Sequence, residues 1–299
     1  MRVERSASAV LRCALCLAVG LVLGSSVTEF AAPAPTPAPA FIPYTMRERL
    51  GANLYMQTAA EYRACCLQTY RLAELRLASL MAARPAKPAV IMDLDETVLD
   101  NSAYESYLYE TGQENGGDLW TIYERDYPGW PALVPGAKPF IDKAEAMRVT
   151  VIYISNRSER YGSSTIKALR HLGINVEKIE DRLYLKTDTS DKTKRRDRVA
   201  AKYNVLLLFG DNLRDFSETF VAPKVSGEDG ANGYNKAIQD RFDRVDAAVF
   251  HFGQDWFILP NPGYGEWENL VGDDPVRRLR PSGMKPINFP RNRAPARKP

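Results

Sequence analysis

The chain has 299 residues, 45% hydrophobic and 26% charged, which fits one large domain or two small ones with an ample core. Its formal charge of +3 is unevenly placed: eight Lys or Arg residues and no acids run from Arg277 to the end, so the remainder is net acidic. That body offers no basic surface for a polynucleotide, and the two histidines, His171 and His251, leave little for a His-rich zinc site or a Ser/His/Asp triad.

Arg2, Arg5 and Arg12 precede an apolar run, Cys13–Leu23, followed by Gly24, Ser25 and Ser26. A basic start, a short apolar stretch and small residues predict a secretory signal peptide over 1–26. The run is shorter than the roughly 20 apolar residues that cross a bilayer; an uncleaved anchor is the alternative. Leu15 directly before Cys16, with Arg12 close upstream, does not fit a lipid-attachment box. The expected location is outside the cytoplasm, periplasmic or extracellular. Residues 27–44, with the run Ala31–Ala40, read as an extended Pro/Ala linker.

The main body, residues 45–276, follows. Leu50, Leu54, Tyr55, Ala59, Tyr62, Leu67, Tyr70, Leu75 and Leu80 recur at helical spacing, predicting one or two long helices over Tyr44–Ala83. Cys65 and Cys66 are adjacent there, so their side chains diverge and read as partly buried thiols without a disulfide framework. Strands are expected at Ala89–Leu94, Val149–Ile154, Leu183–Leu185, Val205–Phe209 and Ala247–Phe252. Helices are expected at Pro139–Met147, Ser163–Leu172, Lys192–Tyr203 and Leu213–Phe220. This alternation predicts an α/β fold, an open and mostly parallel sheet with helices on both faces. Catalytic groups in such sheets gather at the carboxyl ends of strands. The tail, 277–299, is basic and proline-containing and reads as disordered; it could touch a membrane or cell wall, although nothing predicts that it does.

Chemistry concentrates at those strand ends. Ala89–Met92 delivers Asp93-Leu94-Asp95-Glu96-Thr97-Val98-Leu99-Asp100-Asn101-Ser102. Like charges at one strand exit repel, so they call for a cation or a shared proton, and oxygen ligands suit a hard divalent ion. An acid capping the next helix would explain one Asp but not the string. Ser155-Asn156-Arg157 places a hydroxyl where a phosphate oxygen could bind, though Ser and Asn are also ordinary turn residues. Asp191-Lys192-Thr193-Lys194 could send one lysine inward to neutralise phosphate, or simply form a solvated face. Gly210-Asp211-Asn212-Leu213-Arg214-Asp215-Phe216 sets two acids four apart behind a glycine that permits close backbone approach.

In this order and spacing the four motifs resemble the haloacid dehalogenase-like phosphatase superfamily, and most closely the class C acid phosphatases, which include bacterial 5′-nucleotidases. The resemblance runs from about Leu54 to Leu270. It implies a Rossmann-like core with a leading helical segment and a small aromatic-rich cap insert over 104–134. It implies Asp93 as nucleophile and Asp95 as general acid and base. It also implies Mg²⁺ on the Asp93 carboxylate, the Asp95 main-chain carbonyl and Asp211. Ser155 and Lys192 would hold phosphate oxygens, Lys192 being preferred to Lys186 because it falls in the family's pattern, and Asp215 would orient Lys192 and metal-bound water. Sugar phosphomutases of the superfamily share the second acid and stay possible, as does a non-catalytic binding or storage relative.

The insert holds Tyr104, Tyr107, Tyr109, Trp120, Tyr123, Tyr127 and Trp130, a density that more often makes a small core than a ligand site. Trp120, and Tyr264 in Asn261-Pro262-Gly263-Tyr264, nevertheless match the places where nucleotide-cleaving relatives stack a base; Tyr123 stands where they carry another tryptophan. The implied substrate is a small phosphomonoester such as a nucleoside 5′-monophosphate. A broad acid phosphatase without base preference is the rival.

Overall fold

The computed structural model describes residues 44–113, 116–225, 230–272 and 279. The predicted signal peptide, the linker up to residue 43 and, apart from Leu279, the basic tail lie outside them. No helix among the described residues is long and apolar enough to cross a membrane.

Two helices lead, α1 (Tyr44–Thr58) and α2 (Ala60–Met81), followed by β1 (Pro88–Met92), β2 (Leu99–Asp100), α3 (Ser102–Thr111) and α4 (Gly117–Asp126). Then come β3 (Ala132–Leu133), α5 (Ala137–Ala146), β4 (Thr150–Ser158), α6 (Gly162–His171) and β5 (Leu183–Lys186). The chain continues through α7 (Thr193–Ala200), β6 (Asn204–Gly210), α8 (Gly230–Ala247) and β7 (Trp256–Ile258). Five strands form one parallel sheet in the order β5-β4-β1-β6-β7, while β2 and β3 make a separate antiparallel pair. The order reverses at β1, the first strand in sequence and central in the sheet, and a crevice opens beyond the strand ends at such a point.

Alternation along the strands divides the core. Val90, Met92, Val151, Tyr153, Leu207 and Phe209 face α2 and α5, whose Tyr70, Leu77, Phe140 and Ile141 complete the larger cluster. Ala89, Ile91, Ile152 and Ile154 point the other way, onto Val199 of α7. A sheet covered on both faces needs such continuous apolar strands. Tyr70 stacks on Phe209 with ring centroids 5.7 Å apart, and its hydroxyl donates to the Thr97 carbonyl at 2.6 Å. The leading helix is thereby tied to the loop that follows β1.

Several expectations are corrected. The buried seam of α2 is Tyr62, Cys66, Tyr70, Ala73 and Leu77, whereas Leu67 and Leu75 are exposed. The apolar spacing permits either face, and the sheet selects the one carrying two tyrosine rings. Cys66 is buried but Cys65 is exposed, both as free thiols. The expected strand Ala247–Phe252 is instead the end of α8 and a turn; β7 forms later, where Trp256–Ile258 pairs with Leu208–Gly210. Short apolar runs are ambiguous between helix and strand, and pairing with β6 decides. The expected helix Leu213–Phe220 is two single-turn 3-10 segments, Leu213–Asp215 and Glu218–Phe220, each started anew by a capping side chain, Asn212 and Ser217. Such polar side chains compete for backbone N–H groups and stop a helix from continuing.

Candidate active site

The strand ends of β1, β4 and β6 bring the predicted acids together. The Asp93 N–H donates to the Phe209 carbonyl at 3.0 Å, which keeps the Asp93 backbone in sheet register just as the chain leaves β1. Carboxylate oxygens of Asp93, Asp211 and Asp215 all lie within 4.8 Å of one another. Lys192, 4% exposed, inserts its ammonium between two of them, 2.7 Å from Asp93 Oδ1 and 2.5 Å from Asp215 Oδ1.

One ammonium does not balance three carboxylates, of which Asp93 and Asp215 are buried and Asp211 half-buried. Burial pushes the Asp93 carboxyl well above the usual range; Lys192 opposes the rise, and Asp215, Asp211 and Asp95 add to it. Burial followed by the Asp215 charge pushes Asp211 up to about 7, against a donor bond from the Asn261 amide at 2.8 Å. Lys192 is held above the ordinary lysine range because Asp215 and Asp93 outweigh its burial. A converging set of hard oxygen donors short of positive charge fits a divalent metal ion. Asp215 has both oxygens engaged, Oδ1 by Lys192 and Oδ2 by the Asn212 N–H at 3.0 Å, which suits an orienting role. A Cβ on Gly210 would collide with the Asp215 side chain, so only glycine lets the two strand-end acids approach.

Asp95 sits beside this cluster in a network of its own. Its Oδ1 accepts from Arg157 Nε and from Asn101 Nδ2, both at 2.9 Å. Glu96, at φ 52, turns the chain away from the sheet, and its buried carboxyl accepts from the Asn101 N–H at 3.0 Å. Ser155 is fully buried: its hydroxyl accepts from the Arg157 N–H at 3.1 Å, and its carbonyl from Arg195 at 2.6 Å.

Above these groups opens a cleft of about 300 Å³ lined by Asp93, Asp95, Lys192, Asp211 and Asp215, with Trp120 and Tyr264 also on its walls. Asn156 and Arg157 line it where β4 ends, with Ser155 beneath them. Trp120 also belongs to the insert's small core, edge-on to Tyr104 at 5.4 Å. Tyr123 is buried, its hydroxyl donating to Asn101 Oδ1 at 2.8 Å.

Residues 37–267 match the family model described as HAD superfamily, subfamily IIIB (acid phosphatase). The chain belongs to this family. It is similar to two structures of a class C acid phosphatase from Bacillus anthracis, one of them with tungstate bound. In each comparison 32% of residues are identical, 76% of this chain and 89% of the other are covered, and the TM-score is 0.66. This acid phosphatase is therefore a phosphomonoesterase, with small phosphate esters as its class of substrate, and the non-catalytic alternative is set aside.

The residues that sequence reasoning passed over are the partners of the acids. Asn101 and Arg157 stood inside the motifs without an assigned role; Arg195, Asn261 and Glu96 were not singled out for one. Arg195 fastens Ser155 and Asn156 to the loop before α7, and Asn261 fastens Asp211. The sequence signal for Arg157 and Asn101 was their place inside the strand-end motifs themselves.

Proposed function

We propose that this acid phosphatase is an exported, Mg²⁺-dependent enzyme that hydrolyses nucleoside 5′-monophosphates through a phosphorylated Asp93. The observation that carries the substrate reading is that Trp120 and Tyr264 line the same cleft as Asp93 and Asp95. Two aromatic walls suit a nucleobase of any kind, because every base has a π-face. The tungstate in the Bacillus anthracis structure is a tetrahedral oxyanion like phosphate, which agrees with a site built for a phosphoryl group.

In this reading an Asp93 oxygen attacks phosphorus in line while the ester P–O bond breaks, and Asp95 gives its proton to the departing alcohol. Water then attacks phosphorus, Asp95 takes a proton from it, and the Asp93–phosphorus bond breaks to free inorganic phosphate. Lys192 stands 2.7 Å from Asp93, placed to hold a phosphate oxygen near the reacting carboxylate. Ser155 accepts through its oxygen and so keeps its O–H as a donor for a second phosphate oxygen. Asp215 orients Lys192. Asp93, Asp211 and the Asp95 carbonyl would hold Mg²⁺, which when bound offsets the negative charge of acids and phosphate. Export rests on the basic, apolar and small-residue segments of residues 1–26.

The test is a panel of nucleoside 5′-monophosphates and small aliphatic esters, with Mg²⁺ and with a chelator. Nucleoside and phosphate should appear only with the metal, and Trp120→Ala or Tyr264→Ala should raise KM for nucleotides about tenfold or more while leaving aliphatic esters unchanged. Intact nucleotides beside cleaved aliphatic esters would sink the base preference. One observation favours the rival without base preference: Trp120 is already edge-packed on Tyr104 and 5.3 Å from the ring of Tyr123.

A further inference from the structure

We propose that Asn101 and Arg157 are positioning residues for Asp95, fixing one of its oxygens so that the other alone carries the proton between Asp95 and its partners. This rests on the reading of Asp95 as general acid and base. Both donors converge on the same atom, Oδ1, each at 2.9 Å. Among the described residues no hydrogen bond reaches Oδ2. An oxygen that already receives two N–H groups has no room for a proton of its own, so a protonated Asp95 must carry it on Oδ2. A carboxyl free to rotate would present either oxygen.

The clamp is itself braced. Arg157 Nη2 donates to Asn101 Oδ1 at 3.1 Å, and the Tyr123 hydroxyl donates to the same oxygen at 2.8 Å. The Asn101 side chain and backbone N–H both donate to Glu96 Oε1, at 3.1 and 3.0 Å. Asn101 is 3% exposed and Arg157 1%. Withdrawing a guanidinium this far from water is costly unless its bonds are satisfied, and the bonds found here run to Asp95 and to the residue that shares it. The Arg157 guanidinium also lies 5.7 Å from the Trp120 ring centroid, joining the acid to the aromatic wall of the cleft.

In the first step the proton on Asp95 Oδ2 passes to the ester oxygen as its bond to phosphorus breaks and the Asp93–phosphorus bond forms. In the second, a water proton returns to Oδ2 as the water oxygen bonds phosphorus and Asp93 departs. An alkoxide leaving group needs that proton, whereas 4-nitrophenolate leaves without it.

The experiment measures alcohol release in a single turnover, enzyme in excess, for an alkyl monophosphate and for 4-nitrophenyl phosphate. Asn101→Ala and Arg157→Lys are expected to slow the alkyl ester about 10- to 100-fold and the nitrophenyl ester about threefold or less. Tyr123→Phe should act in the same sense and more weakly. Equal losses for the two esters would mean a merely structural role and overturn the inference. If Arg157→Lys does not fold, the Asn101 and Tyr123 variants, which keep the buried charge pair, decide it. Asp95→Asn separates the two levels: without a leaving-group bias there, the acid–base reading itself fails. A bias in Asp95→Asn that is missing from the Asn101 and Arg157 variants removes only the positioning role.

Discussion

Lys192 Nζ lies 2.5 Å from Asp215 Oδ1, and the same ammonium is 2.7 Å from Asp93 Oδ1. One buried cation thus bridges an acid from the end of β1 and an acid from the turn after β6, two segments adjacent only because β1 and β6 pair in parallel.

Lys192→Met should therefore cost both turnover and stability. Removing one partner of a buried ion pair costs about 3–5 kcal/mol, since it leaves charge unpaired. Lys192 is held above the ordinary lysine range, so its contribution is complete at neutral pH and fades only as alkaline pH passes its folded value. In the variant, Asp93, already pushed up by burial, loses the cation that opposes the rise and binds a proton more readily when folded than when unfolded. The variant's melting temperature should consequently rise as pH falls from 8 to 5, toward that of the parent protein. A variant equally unstable at both pH values would contradict the bridging role.

Glu124 supplies a second pH dependence. Its Oε1 accepts from the Ser158 N–H at 2.6 Å, and burial, only partly offset by Arg157 and that bond, pushes its carboxyl up to about 6 from 4.5. Between those values the folded chain binds more protons than the unfolded one, so this group makes stability fall as pH rises through the window. Glu124→Gln keeps an acceptor for Ser158 and removes the titration. The drop in unfolding free energy between pH 4.5 and 7 should shrink by on the order of 2 kcal/mol, read from denaturant melts. An unchanged pH profile would show that Glu124 is not the group responsible.

Gly210→Ala tests the close approach at the end of β6. The new Cβ would run into the Asp215 side chain, whose displacement carries Lys192 with it. Overpacking of this kind costs about 1–3 kcal/mol, and misplacing a reacting group by about 1 Å can cost about 100-fold in rate. Turnover should fall far more than the melting temperature implies. Pairing the change with Asp215→Gly, which removes the Cβ, carboxyl carbon and oxygen that the new methyl would meet, should relieve the clash but not restore activity.

Strand-end chemistry was legible because it is local. Apolar runs ending in Asp93-Leu94-Asp95 and in Gly210-Asp211 state at once that a strand delivers acids to its carboxyl end, and the parallel sheet then places both ends on one edge. Local ambiguity marks the failures: the run at Ala247–Phe252 is apolar enough for a strand, yet Trp256–Ile258 is the segment that pairs with β6. The exposed face of α2 was equally open, because Leu67 and Tyr70 both satisfy a helical spacing and the Phe140 and Phe209 rings across the core choose between them.

The sequence by itself determined the α/β alternation and the four segments that carry chemistry, since period and strand-end composition depend on neighbours along the chain. The tertiary structure alone decided who answers each charge. It set Arg157 against Asp95 and Asn261 against Asp211, and it placed Lys192, which the resemblance had already paired with Asp215, against Asp93 as well. Each of these pairs spans many residues of chain, and an interaction that falls off over a few ångströms in space leaves no periodic trace in sequence.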